Sequence, residues 1–260
     1  MGLLKNKKIL ITGLLNKRSI AYGIAEAMYE QQASLAFTCL NKKNKNKIKN
    51  IVKKFNSNIV IVCDFSKDKN IKNLFLTLFQ YWENFDGFIH SIAYAPKIQL
   101  SDNYLNTINQ KDFAVSHNIT SYSLVSMLQE SLKQLNPGSS IVTLTYVGSQ
   151  TAIPYYNIMG VAKASLESNV RYLANVIGTK QFRINAISAG PVKTTSSYHI
   201  PNFKKILSYY KKYSPIKRLV TVQEIGNTAA FLCSNISSGI TGQVIYVDGG
   251  CSITNFNHLY

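Results

Sequence analysis

Short apolar runs rich in β-branched residues recur along this chain, each followed by a stretch long enough for a helix. That alternation restricts the fold to a parallel sheet with helices wound on both faces. The runs are 9–12, 35–38, 59–62, 88–92, 141–146, 183–188 and 243–247, seven candidate strands in all. Residues 21–31 read as the helix behind the first run. Asp86-Gly87 and Asn136-Pro137-Gly138 are turn signals placed just before the fourth and fifth runs. Continuous rather than alternating apolar character implies strands covered on both sides. No internal repeat or interdomain linker breaks the pattern, so residues 1–260 read as a single domain. One long polar segment, 191–214, is expected to be a mobile flap.

Composition narrows the function classes. The chain has 46% hydrophobic and 16% charged residues, ordinary for a globular protein with a sizeable core. No apolar run approaches bilayer length. Met1-Gly2-Leu3-Leu4-Lys5 leads almost directly into the first strand, with no apolar core of a targeting segment. Cys39, Cys63, Cys233 and Cys251 are widely spaced, form no Cys-x-x-Cys pair, and read as buried thiols of a cytoplasmic protein. The net charge of +17 invites a nucleic-acid partner. Much of it, however, lies in Lys/Asn runs such as 41–47, read as solvated surface in a chain biased to Lys, Asn, Ile and Tyr. With no metal-ligand spacing and no RNA-recognition motif present, neither a metal nor a nucleic acid is expected.

In an open parallel sheet, ligands bind beyond the carboxyl ends of the strands. Gly13 follows the first strand and permits a tight turn close to a pyrophosphate. Ser19 is placed to cap the next helix, whose first amides favour an anion. Asp64 ends the third run, where a carboxylate suits an adenine amino group. Ser91-Ile92-Ala93 ends the fourth with small residues. Together these positions describe a dinucleotide rim, although the Gly-x-Gly-x-x-Gly spacing is absent. Tyr146 ends the fifth run. Beyond it, Tyr156 and Lys163 are seven residues apart, which places both on one helical face about 10 Å apart. Gly160 between them is expected to leave that face open for a flat ligand.

These residues resemble a known family. Thr12-Gly13 with Ser19-Ile20-Ala21-Tyr22-Gly23, His90-Ser91-Ile92-Ala93, the segment 152–160, Ala162-Lys163-Ala164-Ser165-Leu166-Glu167, the segment 183–191 and Val247-Asp248-Gly249-Gly250 are similar to those of bacterial enoyl-acyl-carrier-protein reductases. Those enzymes are divergent members of the short-chain dehydrogenase/reductase superfamily, and the resemblance runs nearly end to end. Its discriminating feature is Tyr-x6-Lys. Carbonyl-reducing relatives use Tyr-x3-Lys, which would need Tyr at 159, where this chain has Met159.

The resemblance implies a Rossmann-type, doubly wound seven-stranded fold and NADH-dependent reduction of the trans-2 double bond of carrier-bound enoyl thioesters in fatty-acid elongation. It implies that Tyr156 donates to the thioester enolate, that Lys163 bonds the nicotinamide ribose, and that Tyr146 is a second active-site tyrosine. Cofactor contacts are implied for Gly13, Ser19, Ile20, Leu40, Asp64, Phe65, Ser91, Ile92, Val192, Lys193, Thr194, Thr195 and Ser196. Substrate contacts are implied for Ala95, Met159, Ile200 and Phe203, and carrier-protein contacts for Lys204 and Lys205. A homotetramer is implied as well, with no membrane partner. Leu40 stands where the family carries a polar Gln, and Lys42 and Lys43 follow it, which keeps NADPH open beside NADH. Tyr155 stands where the family more often has Asn. A carbonyl-reducing dehydrogenase, a nucleic-acid binder and a non-catalytic dinucleotide protein remain the competing classes.

Overall fold

The computed structural model describes residues 2–100, 103–195 and 197–254. Its strands are β1 (Lys8–Ile11), β2 (Ser34–Cys39), β3 (Val60–Val62), β4 (Phe85–His90), β5 (Leu135–Thr145), β6 (Arg183–Ala189) and β7 (Val244–Val247). They form one sheet in the order β3-β2-β1-β4-β5-β6-β7, and every pair is parallel. The helices are α1 (Ile20–Glu30), α2 (Lys42–Val52), α3 (Asp68–Phe79), α4 (Tyr104–Thr107), α5 (Gln110–His117), α6 (Ser123–Ser131), α7 (Asn157–Ile177), α8 (Phe203–Tyr213) and α9 (Val222–Cys233).

Strand periodicity sorts the core into two layers. Ile9, Ile11, Leu35 and Phe37 pack on one face with residues of α1, α2 and α9. Leu10, Ala36 and Ile61 point to the other face, with residues of α3, α6 and α7. Each fully buried Ile, Leu or Phe contributes about 1.5–3 kcal/mol from removal of apolar surface from water. Burial on both faces explains why these strands are apolar throughout.

Two turn signals lie inside strands. Asp86-Gly87 belongs to β4, where Asp86 Oδ2 accepts a hydrogen bond from the Lys8 backbone N–H at 2.8 Å and Oδ1 one from Asn136 Nδ2 at 3.1 Å. Asn136-Pro137-Gly138 is an excursion within β5: Leu135 pairs with Phe85 and Ser140 with Gly87. Pro is tolerated at such a bulge because no ladder donor is needed there. The fourth strand ends at His90, two residues earlier than its apolar run.

The 191–214 segment contains α8, whose Phe203, Ile206, Leu207, Tyr209 and Tyr210 are buried. They form a third apolar cluster with Val147, Ile153 and Cys251, against which Tyr146, Tyr156 and Ile200 pack. The four cysteines are free and buried. Among the described residues, no helix is long and apolar enough to cross a membrane.

Candidate active site

All seven strands run the same way, so their carboxyl ends share one edge, and the strand order reverses between β1 and β4. That reversal is where an open sheet leaves a ligand crevice. Gly13 leaves β1 at φ +80. A Cβ on it would lie 1.9 Å from the Ser91 carbonyl oxygen. Glycine is therefore required for the exits of β1 and β4 to touch, a reason additional to the one read from the sequence. The adjoining strand ends are tied by Thr12, whose Oγ1 donates to the Ile89 carbonyl at 2.9 Å and accepts from the Ser91 N–H at 3.1 Å.

Ser19 corrects the expectation of a side-chain cap. It occupies the N-cap position of α1 without a side-chain cap bond. Its Oγ instead accepts from the N–H groups of Leu15 and Asn16, both at 3.1 Å, and closes the preceding loop. The Ile20 and Ala21 N–H groups have no protein partner among the described residues. These two donors at a helix start, beside a glycine exit and a half-buried Ser91, fit the pyrophosphate of a dinucleotide.

Further along the rim, Asp64 Oδ1 accepts from Ser66 N–H at 3.0 Å and Ser66 Oγ at 2.7 Å. Burial opposes its ionisation, but the Ser66 bonds and the Lys67 charge outweigh it and hold the carboxyl below its ordinary range. Phe65 is buried behind it and Ile92 is half-buried beyond β4. Leu40 is exposed, as are Lys42 and Lys43 at the start of α2. Across the crevice, Val192 and Thr194 are buried, while Lys193 and Thr195 are exposed. Thr195 Oγ1 accepts from Asn16 Nδ2 at 2.7 Å, joining this segment to the β1–α1 loop. Ser196 lies outside the described residues.

The other half of the site hangs from β5 and α7. Tyr146 and Tyr156 meet edge to face, with ring centroids 4.9 Å apart and planes at 74°. Tyr156 sits at the N-cap position of α7. Gly160 is not open toward a ligand, contrary to the sequence expectation: its Cβ would lie 2.5 Å from the Gly148 carbonyl oxygen. A Cβ on Gly148 would in turn strike the Tyr156 ring at 2.5 Å. The two glycines thus let α7 and the turn after β5 close around the tyrosine.

Lys163 is buried and its Nζ donates to the Leu144 carbonyl at 2.7 Å. Burial lowers its pKa to about 7, opposed by the charge of Glu167. Burial raises the pKa of Tyr146, and burial followed by Tyr146 and Glu167 raises that of Tyr156. Both phenols are therefore protonated at neutral pH and available as donors. The lysine makes no direct hydrogen bond to either tyrosine among the described residues. His90 lies beneath, with Nδ1 2.8 Å from Thr143 Oγ1 and Nε2 2.8 Å from Ser123 Oγ. Its pKa falls to about 3 through burial and the Lys163 charge.

Helix α8 closes the top. Phe203 is buried and Ile200 half-buried against Tyr146 and Tyr156, whereas Met159 is buried in α7 outside that cluster. Ala95 is half-buried in the segment after β4, and Lys204 and Lys205 are exposed on the outer face of α8. Three groups here had no assigned role in the sequence reading. Tyr210 donates from its hydroxyl to that of Tyr146 at 3.2 Å. Tyr155 accepts from Asn202 Nδ2 at 2.7 Å. Glu167 accepts from Thr145 Oγ1 at 2.6 Å and Ser149 Oγ at 2.5 Å. The first two link elements more than 40 residues apart, beyond the reach of local spacing. The apolar positions 203, 206, 207 and 210 did carry a helical signal.

A family model for enoyl-(acyl carrier protein) reductase matches residues 13–252. The enoyl-[acyl-carrier-protein] reductase [NADH] of Buchnera aphidicola from Schizaphis graminum is 53% identical over 259 residues, covering 100% of both chains. The Escherichia coli K12 protein of the same name is 48% identical over 259 residues, covering 100% of this chain and 99% of its own. The crystal structure of enoyl-[acyl-carrier-protein] reductase (NADH) from Aquifex aeolicus superposes with a TM-score of 0.94 at 43% identity, covering 98% of this chain and 99% of that one. With likeness of this extent carried on the same sheet and the same Tyr-x6-Lys helix, the chain belongs to the enoyl-(acyl carrier protein) reductase family.

Proposed function

We propose that this chain is an NADH-dependent enoyl-acyl-carrier-protein reductase, reducing the trans-2 double bond of carrier-bound enoyl thioesters during fatty-acid elongation. The observation that carries the reading is the pair of partly buried, protonated tyrosines beyond the end of β5, with the buried Lys163 on the same helix as Tyr156 and the strand-order reversal beside them. Family membership, and relatives named as NADH enzymes, support it. When bound, NADH supplies the hydride delivered to the β-carbon of the double bond.

Each residue then has a definite task. The Ile20 and Ala21 amides hold the pyrophosphate, Asp64 accepts from the adenine amino group, and Val192 to Thr195 close over the carboxamide side. Lys163 bonds the nicotinamide ribose hydroxyls and lends positive field to the thioester oxygen. Tyr156 donates to that oxygen as charge grows on it, and one such oriented donor in a water-poor site is worth about 3–4 kcal/mol. Tyr146 packs against Tyr156 and orients it. Ile200 and Phe203 supply apolar wall for the acyl chain, with Met159 and Ala95 at its margins. Carbonyl reduction is disfavoured because position 159, where that chemistry needs a phenol, is a buried Met.

Following dinucleotide oxidation with crotonyl thioester, for NADH and NADPH in turn, tests the reading. We expect rapid turnover with NADH and none with a 3-oxoacyl thioester. A folded wild type that turns over neither cofactor would overturn it.

Three finer readings accompany this one. Lys204 and Lys205 meet the acidic carrier protein, which speeds encounter between opposite fields. The Lys204→Ala/Lys205→Ala double variant should lose the salt dependence of rate with carrier-bound substrate while keeping its rate on a small thioester. Unchanged kinetics with the carrier-bound form would sink that role. The protein assembles as a homotetramer, supported by the exposed Phe113, Tyr122, Val161, Tyr172 and Val176 along α5–α7; a monomer in light scattering would contradict it. It works in the cytoplasm as one catalytic unit of residues 1–260 covered by 191–214, in keeping with four free, buried thiols.

A further inference from the structure

Glu167 is the most deeply committed charged group that the proposed reaction leaves without a task. It is 4% exposed on α7, one helical turn beyond Lys163. Burying a carboxylate is costly unless it is hydrogen-bonded and paired. Here the bonds come from one short segment. Thr145 Oγ1 and Ser149 Oγ both donate to Oε1, and Gln150 Nε2 reaches Oε2 at 3.5 Å. Thr145 directly precedes Tyr146, and Ser149 and Gln150 follow it across Val147-Gly148, the turn against which Tyr156 and Gly160 pack. One carboxylate therefore holds side chains on both sides of the first tyrosine.

The same carboxylate is buried one turn along α7 from the buried lysine, without a direct ion pair between them among the described residues. The groups around the pair come from every neighbouring element. They are the uncharged His90 from β4, Tyr146 and Tyr156 from the β5–α7 connection, and Tyr246 from β7, which Gln150 also reaches. Asp248, beyond β7, acts on Tyr146 and Tyr246. Among the described residues, the charge of Glu167 favours the protonated form of Lys163.

We propose that Glu167 is a positioning residue for this reaction: it fixes the Thr145–Gln150 segment that aims Tyr146 at Tyr156, and it is the buried counter-charge, one turn along α7, that favours the ammonium form of Lys163. The proposal rests on the enoyl-reductase reading above. Neither task requires the carboxylate to touch substrate or cofactor.

The two tasks separate experimentally. Glu167→Gln keeps the shape and removes the charge. Lys163 should then lose its proton at lower pH, so the basic limb of kcat/KM moves acidward and activity at neutral pH falls by up to about tenfold for each pH unit the limb moves. The pH at which the free protein loses affinity for NADH, followed by fluorescence titration, should move the same way. Thr145→Val and Ser149→Ala leave the charge and release the segment. Each should lower kcat with the basic limb unmoved.

A Glu167→Gln protein whose limb and NADH-binding midpoint match wild type overturns the counter-charge task. Thr145→Val and Ser149→Ala proteins with wild-type kcat overturn the segment task. Should Glu167→Gln fail to fold, Glu167→Asp decides the first point: its retained charge must keep the wild-type limb, and a displaced limb refutes it. Wild-type turnover of crotonyl thioester is the control. Without it the reductase reading fails on its own, while the NADH-binding midpoint still reports on Glu167.

Discussion

The two halves of the site are built from different materials. Along the rim from β1 to β4, the groups that face the crevice are backbone amides and small residues, and the side chains beyond them, Leu40, Lys42 and Lys43, stand exposed. Beneath α8, the working groups are side chains partly or wholly removed from water, each bonded by another side chain or a carbonyl: half-buried Tyr146 by Tyr210, buried Lys163 by Leu144, buried Glu167 by Thr145 and Ser149. A rim of this kind depends on backbone course and is indifferent to much side-chain change. A pocket of this kind depends on desolvation, which moves the Lys163 pKa to about 7 and keeps both tyrosines protonated.

Substitutions can break that contrast. The largest effect is expected for Tyr156→Phe, which removes one hydroxyl from the pocket. The value of kcat should fall about 10²–10³-fold, with NADH affinity retained in a binding titration. A loss of affinity instead would mean the pocket also shapes the rim. Gly13→Ala is the matching test of the backbone. Its φ of +80 and the 1.9 Å approach to Ser91 predict strain of about 1–3 kcal/mol or more, read as a lower melting temperature and weaker NADH binding. An alanine that melts like wild type would show that the rim is less rigid than its geometry demands.

His90 tests the buried side through pH. Folded, it keeps its neutral form down to about 3, against an ordinary 6.5. Between those values the unfolded chain takes up a proton that the folded chain refuses, so stability is lost as pH falls from 6.5 toward 3. His90→Asn should flatten that part of the pH–melting curve; an unchanged slope would assign acid sensitivity to other groups. The smallest effect belongs to the exposed rim. Lys42→Ala/Lys43→Ala should alter the KM for NADPH by no more than a few-fold, since exposed charges contribute only about 0–1 kcal/mol, and leave NADH kinetics unchanged.

The same contrast decides what could be read in advance. The strands and their common edge follow from local periodicity, and Tyr156 with Lys163 from one helical spacing. Asp86-Gly87 and Asn136-Pro137-Gly138 misled because bonds to distant partners, such as Lys8 N–H to Asp86, hold turn-forming residues inside strands. Ser19 has the composition of a cap, yet its hydroxyl is taken by the loop before it. Glu167 was visible as part of a motif, but its partners lie 17 to 22 residues away and are brought to it only by folding. Helix α8 was masked by its lysines, although its buried positions keep helical spacing.

Tyr156 is flanked by two residues in the left-handed region, Tyr155 at φ +65 and Asn157 at φ +38. Neither is glycine, so each holds its backbone at a cost of roughly 1–3 kcal/mol. For an engineer this is a trade between yield and rate. Glycine at 155 would relax the backbone and raise expression or melting temperature, but it would discard the hydroxyl that accepts from Asn202 and let the covering helix part from the catalytic turn. Stabilised variants selected without an activity screen are therefore expected to accumulate changes at these two positions and to come out slower.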